Sequence, residues 1–543
     1  MSGVLSVEQL MLLNNLMYLS DPYKSLEGNN YSSVRQWIND INLNSIDESK
    51  NYHYTSGEEW KNIIEAVRND ETLMNMKIVT THKDSAGTGG GGFSAVFENP
   101  VSHEAVVAFK GTAAEEWKDD FIGGGVTTAS DGVSTPQQQN ALDWYQNLDT
   151  SKYSSITVTG HSKGGNKAKY ITVMDDSIDR CVSFDGQGFS DEFIEKYSSE
   201  IANNQSKISN NNLDGDFVNI LLNDIGETTY YKGYGVGNSG GNYAENHCPN
   251  SFLNFAPDGT FTMDVGPQSE NMKDLDKFIN SLLRSMPPDQ KSGTLAAIGQ
   301  LVELGLGQGV SDPNEYLDVL TQGTNSKDLA YVVAYTVAYV REYPDMADTI
   351  QNLLSEMGME DFVGYVDTIQ TILDWKYFDS LLGYLGDGLD NLPDWSIDLL
   401  LKYLDNNGIH LSKEQLATLL NIVSNVSDYL DEGIDVTQSG DDIKIKSSSE
   451  GSNLWTNNAG SLKNIGSRIS NLASQLDSIN KDISRSGSMG VISFKVKAMV
   501  SSIEKESNDM ILFSNALEKI ACEYNHTEET ITSNASIYLA KQK

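Results

Sequence analysis

Ile156-Thr-Val-Thr-Gly-His-Ser-Lys-Gly-Gly165 decides the fold. Its β-branched start, Ile156 to Thr159, reads as a strand, and Asn166-Lys-Ala-Lys-Tyr-Ile-Thr-Val-Met174 reads as a helix. Between them Ser162 stands at the apex of Gly160-His-Ser-Lys-Gly164, the G-x-S-x-G pattern. A serine on so sharp a strand-to-helix turn has strained backbone angles, so only glycine fits close by. The turn lifts the hydroxyl out of the sheet. It also aims the first amides of the helix, beginning at Lys163, toward an oxygen of a bound carbonyl. The pattern alone recurs by chance in glycine-rich chains; the strand before it and the helix after it mark a nucleophile.

The neighbouring segments extend this into an α/β sheet. Residues 5–20 and 58–68 place apolar side chains at helical spacing, the second around Trp60, Ile63, Ile64 and Val67. Met76–Thr80 and Phe93–Phe97 read as strands flanking Ala86-Gly-Thr-Gly-Gly-Gly-Gly92. That run lacks the G-K-[ST] ending and no helix follows, so it reads as a hairpin turn and not a phosphate loop. Ala105-Val-Val-Ala-Phe-Lys-Gly-Thr112 is apolar enough for a buried central strand of a parallel sheet. Cys181–Asp185 and Phe217–Leu222 read as further strands. Ligands in such sheets bind at the carboxyl ends of strands, and Thr112, Ser162, Asp185 and Asp224 all fall just past such ends.

Beyond residue 265 the pattern changes. From Met272 to Glu432 the apolar residues follow a helical period, with helices expected at 328–341, 362–375 and 413–430. Leu462, Ile465, Ile469, Leu472, Leu476, Ile479 and Ile483 then alternate steps of three and four, and a similar rhythm resumes after Arg485–Gly490. That is a heptad-like antiparallel helical hairpin, which buries one seam and calls for partner helices. The expected organisation is an α/β-hydrolase domain over 1–265, a helical middle region over 266–440, and a long antiparallel helical hairpin over 441–543.

Charge narrows the partners. A net charge of −38 and a pI near 4.4 argue against nucleic acid and against docking to an anionic membrane. The excess lies upstream, since residues 441–543 carry twelve basic and twelve acidic side chains. Cys181, Cys248 and Cys522 are too scattered for a disulfide framework or a zinc site. The start of the chain lacks a basic segment followed by an apolar core, so no cleaved signal peptide is expected. The apolar run Leu329–Val340 falls short of the roughly 20 residues of a membrane span.

A serine nucleophile needs a base within reach and an acid to orient it. Among the histidines, His161 belongs to the turn itself, His53, His82 and His103 precede the serine, and His410 and His526 lie in the helical parts. In α/β-hydrolases the order is Ser, acid, His. His247, in Asn242-Tyr-Ala-Glu-Asn-His-Cys-Pro249, is the histidine that follows Ser162 inside the α/β region, so it is the expected base. Asp224 is the favoured acid, Asp185 the alternative, and Asp214 and Asp216 weaker candidates in a polar loop. The second oxyanion amide falls to Thr112 or Ala113, beside that of Lys163. The loop Asp119–Gln139 has the composition of a mobile lid or of a plain surface loop.

Phe109-Lys-Gly-Thr112 with Trp117, Gly160-His-Ser-Lys-Gly-Gly165, Phe184-Asp-Gly-Gln-Gly188, Asn223-Asp224 and His247 together resemble the class 3 type of α/β-hydrolase lipases, in particular a bacterial subgroup of lipase-like proteins. The resemblance covers about residues 5–265 and implies a Ser162–Asp224–His247 triad acting on an ester of a lipid or phospholipid, without metal or organic cofactor. Lys110 stands where members often carry Arg and Lys163 where they carry Leu; a charge beside the turn argues against neutral-fat specificity. The last hundred residues are similar to the helical hairpins of the LXG and WXG families, which are substrates of the type VII secretion system of Gram-positive bacteria. Trp455, Ile520-Ala-Cys-Glu-Tyr524 and Glu528 carry that similarity, although Trp455 is followed by Thr456-Asn457, so the Trp-Xaa-Gly signature is not intact. LXG toxins carry the targeting hairpin first, whereas here it comes last, as in reverse-ordered type VII lipase toxins. The resemblance implies a cytoplasmic precursor exported with small helical targeting partners, through the type VII machinery, and with a neutralising immunity protein. The alternatives are a thioesterase or peptidase on the same triad, and an adhesin or scaffold with an inert hydrolase domain.

Overall fold

The structure, a computed structural model, describes residues 4–20, 24–52, 55–83, 92–112, 132–234, 246–302 and 325–356, together with parts of 368–436. The helical hairpin expected over 441–543, the glycine run 86–91 and most of the loop 119–139 lie outside the described residues.

Seven strands form one sheet in the order of the chain: β1 (Lys77–Lys83), β2 (Phe93–Glu98), β3 (Glu104–Phe109), β4 (Ser155–His161), β5 (Arg180–Phe184), β6 (Ile208–Leu213) and β7 (Glu227–Tyr231). The first three pair antiparallel, and β3 to β7 are parallel. The expected strands at 76–80, 93–97, 105–109, 156–159 and 181–185 are present within a few residues. Phe217–Leu222 is not a strand, whereas β6 and β7 are strands that the hydropathy did not reveal.

Parallel strands laid down in one direction put their right-handed crossovers on a single face. That face holds α4 (Lys163–Met174), which packs on β3, β4 and β5, with α3 (Pro136–Gln146) beside it. The other face needs separate cover, and the N-terminal helix α1 (Val7–Leu16) supplies it by crossing the same three strands. Leu10 to Leu16 are buried throughout, because α1 is sandwiched between the sheet and α2 (Gly57–Asn69).

Side-chain alternation along β4 displays the two faces. Thr157 donates to Glu104, whose other carboxyl oxygen takes the amide of Leu5 just before α1. Thr159 accepts from Asn14 of α1, and His161 meets Tyr18 just beyond it. Gly160 turns the other way, against α4.

Among the described residues the helical stretch holds α5 (Glu270–Ser285), α6 (Pro288–Val302), α7 (Asn325–Glu342), α8 (Ala347–Glu356), α9 (Asp394–Asn406) and α10 (Lys413–Glu432). The expected helices at 328–341 and 413–430 are α7 and α10; the one at 362–375 falls mostly outside the described residues. Leu275, Leu301, Ala334, Tyr335, Leu404, Leu419 and Val423 share a core that also takes in Phe217, Val218 and Ile220 from the loop after β6. No helix among the described residues is long and apolar enough to cross a membrane.

The turn at Ser162 is packed without slack. A methyl group on Gly164 would lie 2.1 Å from the Phe109 carbonyl oxygen, and one on Gly160 would lie 2.2 Å from the Gly164 backbone. Neither neighbour is a movable side-chain end. Gly164→Ala is expected to lower the unfolding free energy by about 1–3 kcal/mol or more. An unchanged midpoint in a urea titration would show that strand and helix are less tightly apposed.

Candidate active site

Ser162 has φ 61° and ψ −129°, an unusual backbone conformation that costs on the order of 1–3 kcal/mol. It stands at the head of α4 but gives the helix no side-chain cap. Its hydroxyl instead meets His247, with Oγ 2.8 Å from Nε2. His247 Nδ1 lies 2.8 Å from Asp216 Oδ1. A carboxylate only accepts, so Nδ1 carries the proton and Nε2 is left to accept from the serine. Asp216 is fully buried; its Oδ1 also accepts from the Val218 amide at 3.1 Å and its Oδ2 from the Asn219 amide at 2.8 Å. Three donors spread over both oxygens fix the direction of the carboxyl group.

A second hydrogen-bonded chain supports His247 from behind. His161 Nε2 lies 2.7 Å from the backbone carbonyl of His247, and its Nδ1 lies 2.8 Å from the Tyr18 hydroxyl. The carbonyl can only accept, so the Nε2 proton is fixed and Nδ1 takes the tyrosine proton. Tyr18 Oη in turn accepts from the Gly111 amide at 3.1 Å. Burial, followed by the nearby His247, holds His161 well below the usual histidine range, so its ring is neutral. Asn15 of α1 adds a bond to the Pro249 carbonyl, two residues past His247. The N-terminal helix therefore ties the loop after β3, the serine turn and the histidine loop together.

The expected acid is corrected by this geometry. Asp224 does not meet His247; its Oδ1 lies 2.5 Å from Lys169 Nζ, a fully buried cation of α4 that also donates to the Gly186 carbonyl. Asp185 is not on His247 either, since its Oδ1 takes the Leu213 amide and the Asn219 side chain. The strand preceding the acid is β6, so the strand end falls at Leu213 and Asp216 lies three residues beyond it. The sequence concealed β6 behind Ser209-Asn-Asn-Asn212, poor strand formers. Side-chain hydrogen bonds, such as those from Asn210 to the Ile225 carbonyl and from the Tyr231 hydroxyl to Asn211, hold them in place. The apolar run 217–222 misled for the opposite reason, because its side chains serve the helical core.

Of the expected oxyanion groups, Lys163 opens α4, so its amide lies at the positive end of the helix dipole. Thr112 is half-buried in the loop after β3; Ala113 lies outside the described residues. A methyl group on Gly111 would stand 3.0 Å from Ser162 Cβ, which places this loop alongside the serine. His82 stacks on Trp144, and His103 and His410 pair with Glu98 and Asp405. His53 and His526 lie outside the described residues.

His161, Asp185 and His247 bring possible metal-ligand atoms within 4.8 Å of one another. Every ring nitrogen of that pair of histidines already has a protein partner, so a cation would have to break a hydrogen bond at each nitrogen it used. An apolar cavity of about 150 Å³ lined by Val79, Val96, Ala105, Val107 and Ile156 lies toward the start of β3 and β4, at the opposite end of the strands from Ser162.

A family model described as Mbeg1-like matches residues 73–234, which holds the sheet, Ser162 and Asp216 but stops short of His247. No curated protein matches the chain. Among solved structures, it is similar to the Lip2 lipase of Yarrowia lipolytica, with 12% identity over 49% of this chain and 84% of that one and a TM-score of 0.26. It is also similar to a triacylglycerol lipase of Penicillium expansum, with 15% identity over 29% of this chain and 69% of that one and a TM-score of 0.19.

Two measurements check the site. A fluorophosphonate probe reports the reactivity of Ser162; Asp216→Asn is expected to slow its labelling by about 10²–10⁴-fold. Asp224→Asn should leave the rate within about threefold while destabilising the fold through the stranded Lys169. Equal effects on labelling would restore Asp224 as the acid. The second concerns acid stability. His161 has a depressed affinity for protons in the fold, so the unfolded chain binds the extra proton below its ordinary value of 6.5. This group's contribution to stability is complete above pH 6.5 and is lost as the pH falls from there toward the folded value. Ring-nitrogen NMR should show His161 as the neutral Nε2–H form at pH 6, and a protonated ring there would contradict the assignment.

Proposed function

We propose that the chain is a serine hydrolase of carboxylic esters. The observation that carries this reading is the aligned pair of hydrogen bonds from Ser162 Oγ to His247 Nε2 and from His247 Nδ1 to Asp216 Oδ1. The serine oxygen attacks the acyl carbon while its proton passes to His247 Nε2. The imidazolium that forms is stabilised by Asp216, and its proton then goes to the departing alkoxide, releasing an alcohol. Water repeats the sequence on the acyl-enzyme and frees a carboxylic acid. The amides of Lys163 and of the Thr112–Ala113 segment are assigned to the tetrahedral oxyanion.

Within esters we assign lipids or phospholipids as substrates, on the strength of the lipase-like motifs around Lys110, Ser162 and Gly186. We further assign residues 441–543 to export by a type VII route in a Gram-positive bacterium, on the heptad-like pattern from Leu462 to Ile531 and its likeness to the LXG and WXG hairpins. Helical targeting partners and an immunity protein belong to that same proposal, as does an antibacterial or virulence role.

Ser162→Ala is expected to reduce ester hydrolysis by about 10⁶-fold with an unchanged melting curve. The readout is free fatty acid, measured by mass spectrometry after incubation with a bacterial lipid extract. Residual turnover near the wild-type rate would remove the serine mechanism, and turnover of thioesters or peptides alone would move the substrate class. Truncation at about residue 440 should spare hydrolysis and stop export, and normal secretion of the shortened chain would refute the targeting role.

A further inference from the structure

Asp185 is a strange occupant for the end of a strand. It has φ 44°, a left-handed conformation for a residue with a side chain, and it is fully buried. Its Oδ1 is well served, accepting from the Leu213 amide at 2.7 Å and from Asn219 Nδ2 at 2.9 Å. Its Oδ2 is buried and meets no donor. The titratable groups that face it are Asp216, His161 and His247.

Two carboxyl groups beside each other in a dry site cannot both remain charged. They share a hydrogen bond only if one of them keeps a proton, because two carboxylates offer acceptors alone. The donor count decides which. Asp216 receives three N–H donors spread over both oxygens, one of them His247. Asp185 receives two, both on Oδ1, which leaves Oδ2 as the place for a proton. The direction of its acidity agrees: burial first, and the adjacent Asp216 second, push the Asp185 carboxyl well above the usual carboxylate range.

We propose that Asp185 is a positioning residue held as a neutral carboxylic acid, whose Oδ2–H donates to the Asp216 carboxylate and completes the hydrogen-bonded seat of the acid beneath His247. It rests on the hydrolase reading above only for its kinetic consequence. Asp185 also grips Asn219, whose amide holds Asp216 Oδ2, so one side chain fixes both the orientation and the charge of the acid.

Two substitutions and one spectrum test this. Asp185→Asn keeps the Oδ1 acceptor, supplies an N–H in place of the O–H, and suits a left-handed backbone. Asp185→Gly also suits that backbone but deletes the group. The Asn variant should keep kcat within about threefold and leave the acid limb of the pH–rate profile in place. The Gly variant should lose about 10–100-fold in kcat with KM nearly unchanged. Its acid limb should also move to higher pH, because an Asp216 carboxylate with one donor fewer draws a proton onto His247 more strongly. Infrared difference spectra of wild type against Asp185→Asn should show the C=O stretch of one protonated carboxyl at pH 7. Absence of that band, or an Asn variant as impaired as the Gly variant, overturns the proposal. If the wild type hydrolyses no ester, the functional reading fails and the infrared band alone decides the state of Asp185.

Discussion

The Ser162–His247–Asp216 arrangement depends on a single conformational constraint, the positive-φ turn of the chain at Ser162. With any ordinary helical or extended geometry there, the hydroxyl would cap its own helix or point into the sheet. Forced out of both, it becomes available to a side chain arriving from another part of the sequence. The glycines at 160 and 164 make that conformation possible by letting strand, turn and helix approach to distances that no other residue tolerates. The strain is local and is held by the packing of β4 against α4 and of α4 against the neighbouring strands.

The sheet explains why so much of the surrounding machinery comes from the N-terminal helix. Strands added in sequence order place their connecting helices on one side, which leaves the opposite face of β3, β4 and β5 open. A helix covering that face lies under Thr157, Thr159 and His161, the residues of β4 that alternate away from α4. It is therefore placed to reach the loops at the carboxyl ends of the strands. Asn15 and Tyr18 do so, through side-chain hydrogen bonds to the Pro249 carbonyl and to His161, while Asn14 bonds Thr159 within β4 itself.

The serine turn, the histidine that meets it and most of the sheet were legible in the sequence because their signals are local: a five-residue pattern with its flanks, and one histidine after it in the α/β region. The carboxylate that meets the histidine was not. Its position depends on where β6 ends, and β6 is written in serine and asparagine, whose burial is stabilised by partners remote in sequence. The run Phe217–Leu222 has the composition of a strand, yet its apolar side chains answer to a different core. Tyr18 and His161 were equally hidden, since a bond spanning 143 residues leaves no mark on periodicity. Hydropathy reports whether a residue is buried, and not what it is buried against.

The loop that carries Asp216 belongs to both parts of the chain. Phe217, Val218 and Ile220, immediately after the acid, are rooted among Leu275, Tyr335, Leu404 and Val423 of the all-helical part. Asp216 is thus moored, through the three residues that follow it closely, to the core of the helical part. Cutting the polypeptide near residue 265 would leave three apolar side chains facing water, next to the carboxyl group that meets His247. The α/β portion is consequently not a detachable cassette, and grafting it elsewhere without its helical companion would unseat Asp216 first.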